Sequence, residues 1–238
     1  MTPVSDPHTE RTLVTVQAAS GALFAVFLLA HLVNAMAAAV GPAAYDGLQA
    51  QLRGVYHVPP VEVALVAAPL LVHVGASVWR MLRRRRRGQR PPSAARSRLQ
   101  RWSAVVLLVF LFGHVLATRG ASLIFGVWPG FDAIAFTMIW DPVYFIPYYT
   151  LFSIAALYHM INGVAVALPR LGARRLSGPR AGRAVAGLTV VGAVLLVLGV
   201  AGFAGAFADV RRLAVDGDYA RLLERLGFAD RAELGGSP

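Results

Sequence analysis

Four histidines stand inside long apolar stretches of this chain: His31, His73, His114 and His159, each in a different stretch. An ionisable ring inside hydrocarbon is costly, faces the interior of a helix bundle, and counts as a functional hypothesis by default. At about 1.5 Å of rise per residue, His31 and His114 fall roughly 6 Å beyond the midpoints of two outward-running spans. By the same arithmetic His73 and His159 fall about 5 Å beyond the midpoints of two inward-running spans. The pattern is two layers, each offering two imidazoles from two helices, which is what bis-histidine ligation of a haem requires. Depth alone therefore pairs His31 with His114 and His73 with His159. Gly75, Gly113 and Gly163 stand near these rings, where small residues leave room for a flat macrocycle. Two other readings stay open: histidines that hydrogen-bond between helices, and members of a proton relay. A zinc or copper site needs ligands within a few ångströms, and layers about 10 Å apart in helix rise do not converge so. His8 and His57 lie in the N-terminal segment and an outer loop, where solvated rings are expected.

The elements that must position these rings are legible from hydropathy. Of 238 residues, 57% are hydrophobic, and they come in blocks long enough to cross a bilayer core that needs roughly 20 apolar residues. The spans expected are about residues 15–40, 61–80, 102–121, 144–168 and 184–207. The fold class is thus an all-α membrane protein with five transmembrane helices. The N-terminal segment carries Asp6 and Glu10, lacks the basic run of a secretion signal, and is kept as the lead-in to the first span. All 23 basic residues are arginine, and the formal net charge is +11. Their placement argues for a membrane chain and against nucleic-acid binding. Ten lie between Arg80 and Arg101 and five between Arg170 and Arg183, in two short loops on one side. The positive-inside rule makes that side cytoplasmic, with the N-terminus inside and the C-terminus outside. With no cysteine in the chain, it supplies neither a thiolate-ligated iron–sulfur cluster nor a disulfide.

Gly41-Pro42 stops the first span and opens an outer loop ending at Pro59-Pro60; Pro69, four residues before His73, is expected to bend the second. Trp128, Phe131, Trp140 and Tyr144 form an aromatic set suited to a membrane–water boundary. Between them, Phe131 to Trp140 is expected as an interfacial helix over the bundle mouth. The fifth span has no ionisable residue and is expected to pack through small residues. Residues 209–238 are expected as an extracytoplasmic polar tail after a 1–208 membrane domain. Within that tail, VRRLAVDGDYARLLERLGF reads as one amphipathic helix.

Four helices giving one histidine each and a fifth giving none, with HLVNAM at His31 and YHMINGVAVA at His159, make the chain resemble a known family. It is similar to the dihaem cytochrome b membrane anchors of succinate:menaquinone reductases and quinol:fumarate reductases, of the single-subunit, five-helix type. That resemblance covers about residues 12–208. It implies that helices I–IV form a haem-binding four-helix bundle in a bacterial cell (inner) membrane. It further implies two b haems, with His73 and His159 on the proximal one and His31 and His114 on the distal one. A flavoprotein subunit and an iron–sulfur subunit would dock on the cytoplasmic face, and menaquinone would be reduced on the outer side. Leu157 stands where some fumarate-reductase anchors carry a glutamate two residues before the fourth-span histidine, which favours succinate oxidation over the reverse reaction. Glu62 at the mouth of the second span is a candidate to protonate the quinone, or equally a water-facing acid at a helix start. Arg119 is a candidate to pair with a haem propionate, or with lipid phosphate. Dihaem subunits that place two histidines on one helix, as in nitrate reductases and hydrogenases, are a different pattern. A haem-free scaffold or proton-relay protein is the competing class.

Overall fold

The computed structural model describes residues 7–90, 92–173 and 179–235. Asp6, Pro91, Arg174 and Arg175, which entered the charge and loop readings, lie outside the described residues. The described residues are helical, with no strand among them. Helix α1 spans Pro7–Ala37, α2 Pro42–Tyr56, α3 Pro59–Arg86, α4 Ala95–Phe125, α5 Phe131–Trp140, α6 Pro142–Arg170 and α7 Pro179–Phe203. Two short helices come next, α8 at Arg211–Val215 and α9 at Asp218–Arg225. Five helices, α1, α3, α4, α6 and α7, are long and apolar enough to cross a membrane. Large apolar side chains such as Leu71, Val109, Phe112 and Val190 stand exposed along them, as lipid-facing residues do. The chain is a multi-pass membrane protein.

Proline starts α2, α3, α6 and α7, where a missing N–H costs no hydrogen bond and the fixed φ suits the first turn. Gly126, at φ 69°, closes α4 in the left-handed conformation that a side chain resists. The irregularity expected at Pro69 takes the form of a π turn, Val63–Ala67, immediately before it. Pro69 has no N–H to give, and the wider turn absorbs the break in the ladder. A second π turn, Leu116–Gly120, begins two residues after His114.

The residues fall into two compact units. The first comprises the chain up to Ala30, Arg53–Ser103 and Leu157–Val190; the second comprises His31–Leu52, Ala104–Ala156 and the chain from Val191 on. His73 and His159 belong to the first, and His31 and His114 to the second.

The second unit has a core built around α5. Phe131, Ala135 and Phe136 have no exposed surface, and Val210, Ala214, Val215, Tyr219, Ala220 and Leu222 pack into the same cluster. Helix α5 has the bounds expected for it, and it is buried because α8 and α9 cover it. The stretch expected as one amphipathic helix breaks at Asp216-Gly217, and Arg231 ties the pieces together. Its guanidinium donates to the Val215 C=O at 2.8 Å and pairs with Glu224 at 3.2 Å and Asp216 at 3.3 Å. The outer loop expected after the first span is mostly helix α2. It buries Tyr45 against Phe203, with ring centres 5.0 Å apart, and gives Asp46 to cap α5 by accepting the Phe131 N–H at 2.9 Å. Burial holds the Asp132 carboxyl above its usual range, and the nearby Asp46 and Asp218 add to the rise against backbone hydrogen bonds at Ala133 and Gly130.

Small residues do pack α7. A methyl group on Gly199 would strike the Ala35 carbonyl, and one on Gly202 the Ala38 carbonyl. Gly202→Ala is expected to cost about 1–3 kcal/mol by forcing these backbones apart. Gly187→Ala in the same helix meets open space and is expected to be neutral or stabilising. Thermal unfolding of the two variants in detergent checks the contrast.

Candidate functional site

The structure brings the four histidines together in the two pairs that depth alone suggested. In the first unit the His73 and His159 ring centres lie 6.2 Å apart with planes at 86°; in the second the His31 and His114 centres lie 5.9 Å apart with planes at 71°. A metal–imidazole bond is about 2 Å long, and a ring's centre lies about 1.2 Å behind its nitrogen. Two imidazoles facing each other across one iron therefore have centres about 6.4 Å apart. Both pairs sit close to that spacing. Among the described residues no group of three or more histidine, cysteine or carboxylate side chains gathers to hold a metal by itself. What the chain offers is two opposed pairs, the donor set of a macrocycle that brings its own equatorial ligands.

The back of each ring in the first unit is fixed. His73 Nδ1 lies 2.9 Å from the Gln17 C=O. A carbonyl only accepts, so Nδ1 carries the proton and the Nε2 lone pair is left for a ligand. Ser103 Oγ donates to the Gln100 C=O at 3.0 Å and lies 3.1 Å from His159 Nδ1, within hydrogen-bonding distance. Gln100 Nε2 also lies 3.2 Å from Nδ1 and donates to the His159 C=O at 3.1 Å. Such second contacts set the direction of each ring, and at His73 the tautomer as well. They exist because Gln100 and Ser103 share one face of α4, and that face meets His159 of α6.

Gly21 is part of the same arrangement. A Cβ there would sit 2.6 Å from His73 Nδ1, so only glycine lets α1 present the Gln17 carbonyl to the ring. The glycines that the sequence places near the rings behave differently. Gly75 and Gly113 face open space, and a Cβ on Gly163 would meet only Gln100 Nε2 at 3.5 Å. Space near the rings is therefore present, but the sterically indispensable glycine is Gly21. In the second unit, His114 packs against Phe152 at 5.2 Å, and the Thr118 hydroxyl donates to the His114 C=O at 2.7 Å.

Glu62 and Arg119 have partners within the chain. Glu62 Oε2 lies 3.7 Å from His57 Nδ1, both side chains largely buried, so His57 is not the solvated loop ring expected for it. Arg119 donates to Ser122 Oγ at 2.9 Å and lies over the Trp128 ring at 5.5 Å. That is the pose of an interfacial anchor.

Comparison with known proteins adds one finding: residues 79–195 match the family model described as succinate dehydrogenase/fumarate reductase transmembrane subunit. The matched stretch contains His114 and His159, while His31 and His73 lie before it. No curated protein and no solved structure matches the chain.

Gly21→Ala is expected to destabilise the chain by about 1–3 kcal/mol, because His73 must leave the Gln17 carbonyl. In a His73→Ala background, where the ring is gone, the same substitution is expected to cost little. Thermal unfolding of the four variants of this double-mutant cycle measures the coupling.

Proposed function

We propose that this chain, whose residues 79–195 match the succinate dehydrogenase/fumarate reductase transmembrane subunit family model, is the quinone-reactive cytochrome b anchor of a bacterial succinate dehydrogenase. In this reading a flavoprotein and an iron–sulfur subunit dock at the arginine-rich cytoplasmic ends of the helices. The N-terminus lies inside and the C-terminal segment outside. His73 and His159 would hold one b haem and His31 and His114 another; when bound, these groups supply one-electron carriers between the iron–sulfur partner and menaquinone. The observation that carries the reading is the double coincidence of ring spacing, 5.9 and 6.2 Å, in pairs drawn from four helices.

The chain's own residues do the rest. The Gln17 carbonyl holds the Nδ1 proton of His73, which leaves its Nε2 lone pair directed at the ligand, and Ser103 and Gln100 orient the His159 ring. Reduction of a quinone takes up two protons, and the Glu62–His57 pair, 3.7 Å apart at the mouth of α3, is the proton-exchanging group that this reading assigns to it. Electrons that cross from inside to outside run down the membrane potential, gaining about 2.3 kcal/mol per charge per 100 mV. That gain assists reduction of a low-potential quinone. Leu157, where a proton-coupled fumarate reductase would carry an acid, fits this direction. Arg119, already engaged by Ser122 and Trp128, serves as an anchor at the interface.

The purified full-length chain, expressed in cells well supplied with haem, tests the proposal through its reduced-minus-oxidised absorption spectrum. Expected is a b-type signal that quantifies to about two haems per chain. A colourless preparation contradicts the reading and favours a scaffold or proton relay.

A further inference from the structure

Two hydrogen-bonded ladders end on the histidines of the first unit, and they differ in one member. The first starts at the His73 C=O, which accepts the Ser77 hydroxyl at 2.7 Å, and Ser77 Oγ accepts Gln17 Nε2 at 2.7 Å. Gln17 Oε1 accepts from Arg80, and Arg80 ends on the carboxylate of Glu10 at 3.2 Å. The second starts at the His159 C=O, which accepts Gln100 Nε2 at 3.1 Å; Gln100 Oε1 accepts Asn162 Nδ2 at 2.5 Å. Asn162 Oδ1 accepts Nε of Arg96. There the ladder stops. No carboxylate among the described residues pairs with Arg96, and its Nη2 is buried without a partner.

A guanidinium cannot shed its charge, so a buried arm with no acceptor calls for an anion. Arg80 has Glu10. We propose that Arg96 receives a propionate carboxylate of the macrocycle held by His73 and His159, an inference that rests on the haem reading above. Two observations favour an anion inside the bundle over a lipid headgroup. Arg96, Gln100 and Ser103 are spaced i, i+4, i+7, so the arginine shares the α4 face that serves His159. Its anchor, Asn162, is only 2% exposed, whereas the run Arg84–Arg87 is exposed and is where a headgroup would find its charge. The Tyr158 hydroxyl, donating to the Arg96 C=O at 3.2 Å, further ties this start of α4 to α6.

The test is a chemical double-mutant cycle on the full-length chain stripped of haem and reconstituted with haem or with haem dimethyl ester, whose propionates carry no charge. Binding at the site that His73→Ala abolishes is read by absorbance titration for wild type, Arg96→Gln and Arg96→Lys. In wild type, esterification is expected to weaken that site at least tenfold. In Arg96→Gln the penalty is expected to shrink by about tenfold, and Arg96→Lys is expected to recover part of it. An undiminished ester penalty in Arg96→Gln overturns the proposal, as does an Arg96→Gln defect that appears only with anionic phospholipid present. Should Arg96→Gln fail to fold, an absent ester penalty in wild type overturns it and a present one that Arg96→Lys reduces supports it. A wild-type chain that binds neither compound overturns the haem reading, and this inference with it.

Discussion

An imidazole in hydrocarbon must have something to face, and that requirement governs the arrangement of this chain. Each of the four membrane histidines meets a second one, at 5.9 or 6.2 Å between ring centres. Facing pairs of neutral rings attract only weakly, so the rings have to be held from behind. In the first unit the holding is explicit: a backbone carbonyl of α1 for His73, and a serine of α4 for His159. Each engages Nδ1 and leaves Nε2 forward, and the carbonyl also fixes the proton on Nδ1 of His73. The glycine at position 21 is a consequence, since a side chain there would take the place of the His73 ring. So are the polar residues threaded through otherwise apolar helices. Gln17, Ser77, Gln100 and Asn162 satisfy one another and the histidine carbonyls, and buried polar groups in a low-dielectric interior are tolerated on those terms.

The second unit solves a different problem. Helix α5 is too short to cross a membrane, yet two of its aromatic side chains are fully buried. Helix α2 covers it with Tyr45 and caps it with Asp46, and the C-terminal helices close over the remaining surface. The buried Arg231, satisfied by two carboxylates and a carbonyl, keeps that closure in one register. The described residues after the last membrane-length helix thus form an organised structure.

How much of this can be read in the residues alone varies with the range of the signal. The five spans are legible because hydropathy over some twenty residues is a local property, and the histidine pairing is legible because helix rise converts sequence position into depth. Helix α5 is legible from its uninterrupted apolar run. Helix α2 is not: Gly41-Pro42 reads as a break, and Gly47, Gly54 and Asp46 dilute a pattern whose helical character depends on burying Tyr45 and Gln49 against distant partners. The break at Asp216-Gly217 is hidden for the converse reason. Amphipathic spacing runs through it, and only the closeness of Gly217 to the Asp132 carboxylate shows why the chain turns there. The supports of His73 and His159 leave a single trace, the polar stripe Arg96, Gln100, Ser103 at the start of an apolar span. A backbone carbonyl, which supports His73, leaves none.

Residues 79–195 match the model of a family described as succinate dehydrogenase/fumarate reductase transmembrane subunit. The proposal that the rings act as two pairs, each pair one ligand set, is tested most directly by the spectra of four single alanine replacements, at His31, His73, His114 and His159. Two classes are expected, His31 and His114 losing one and the same spectral component, His73 and His159 losing the other. Four replacements that each leave both components intact, or that group His31 with His73, would contradict it.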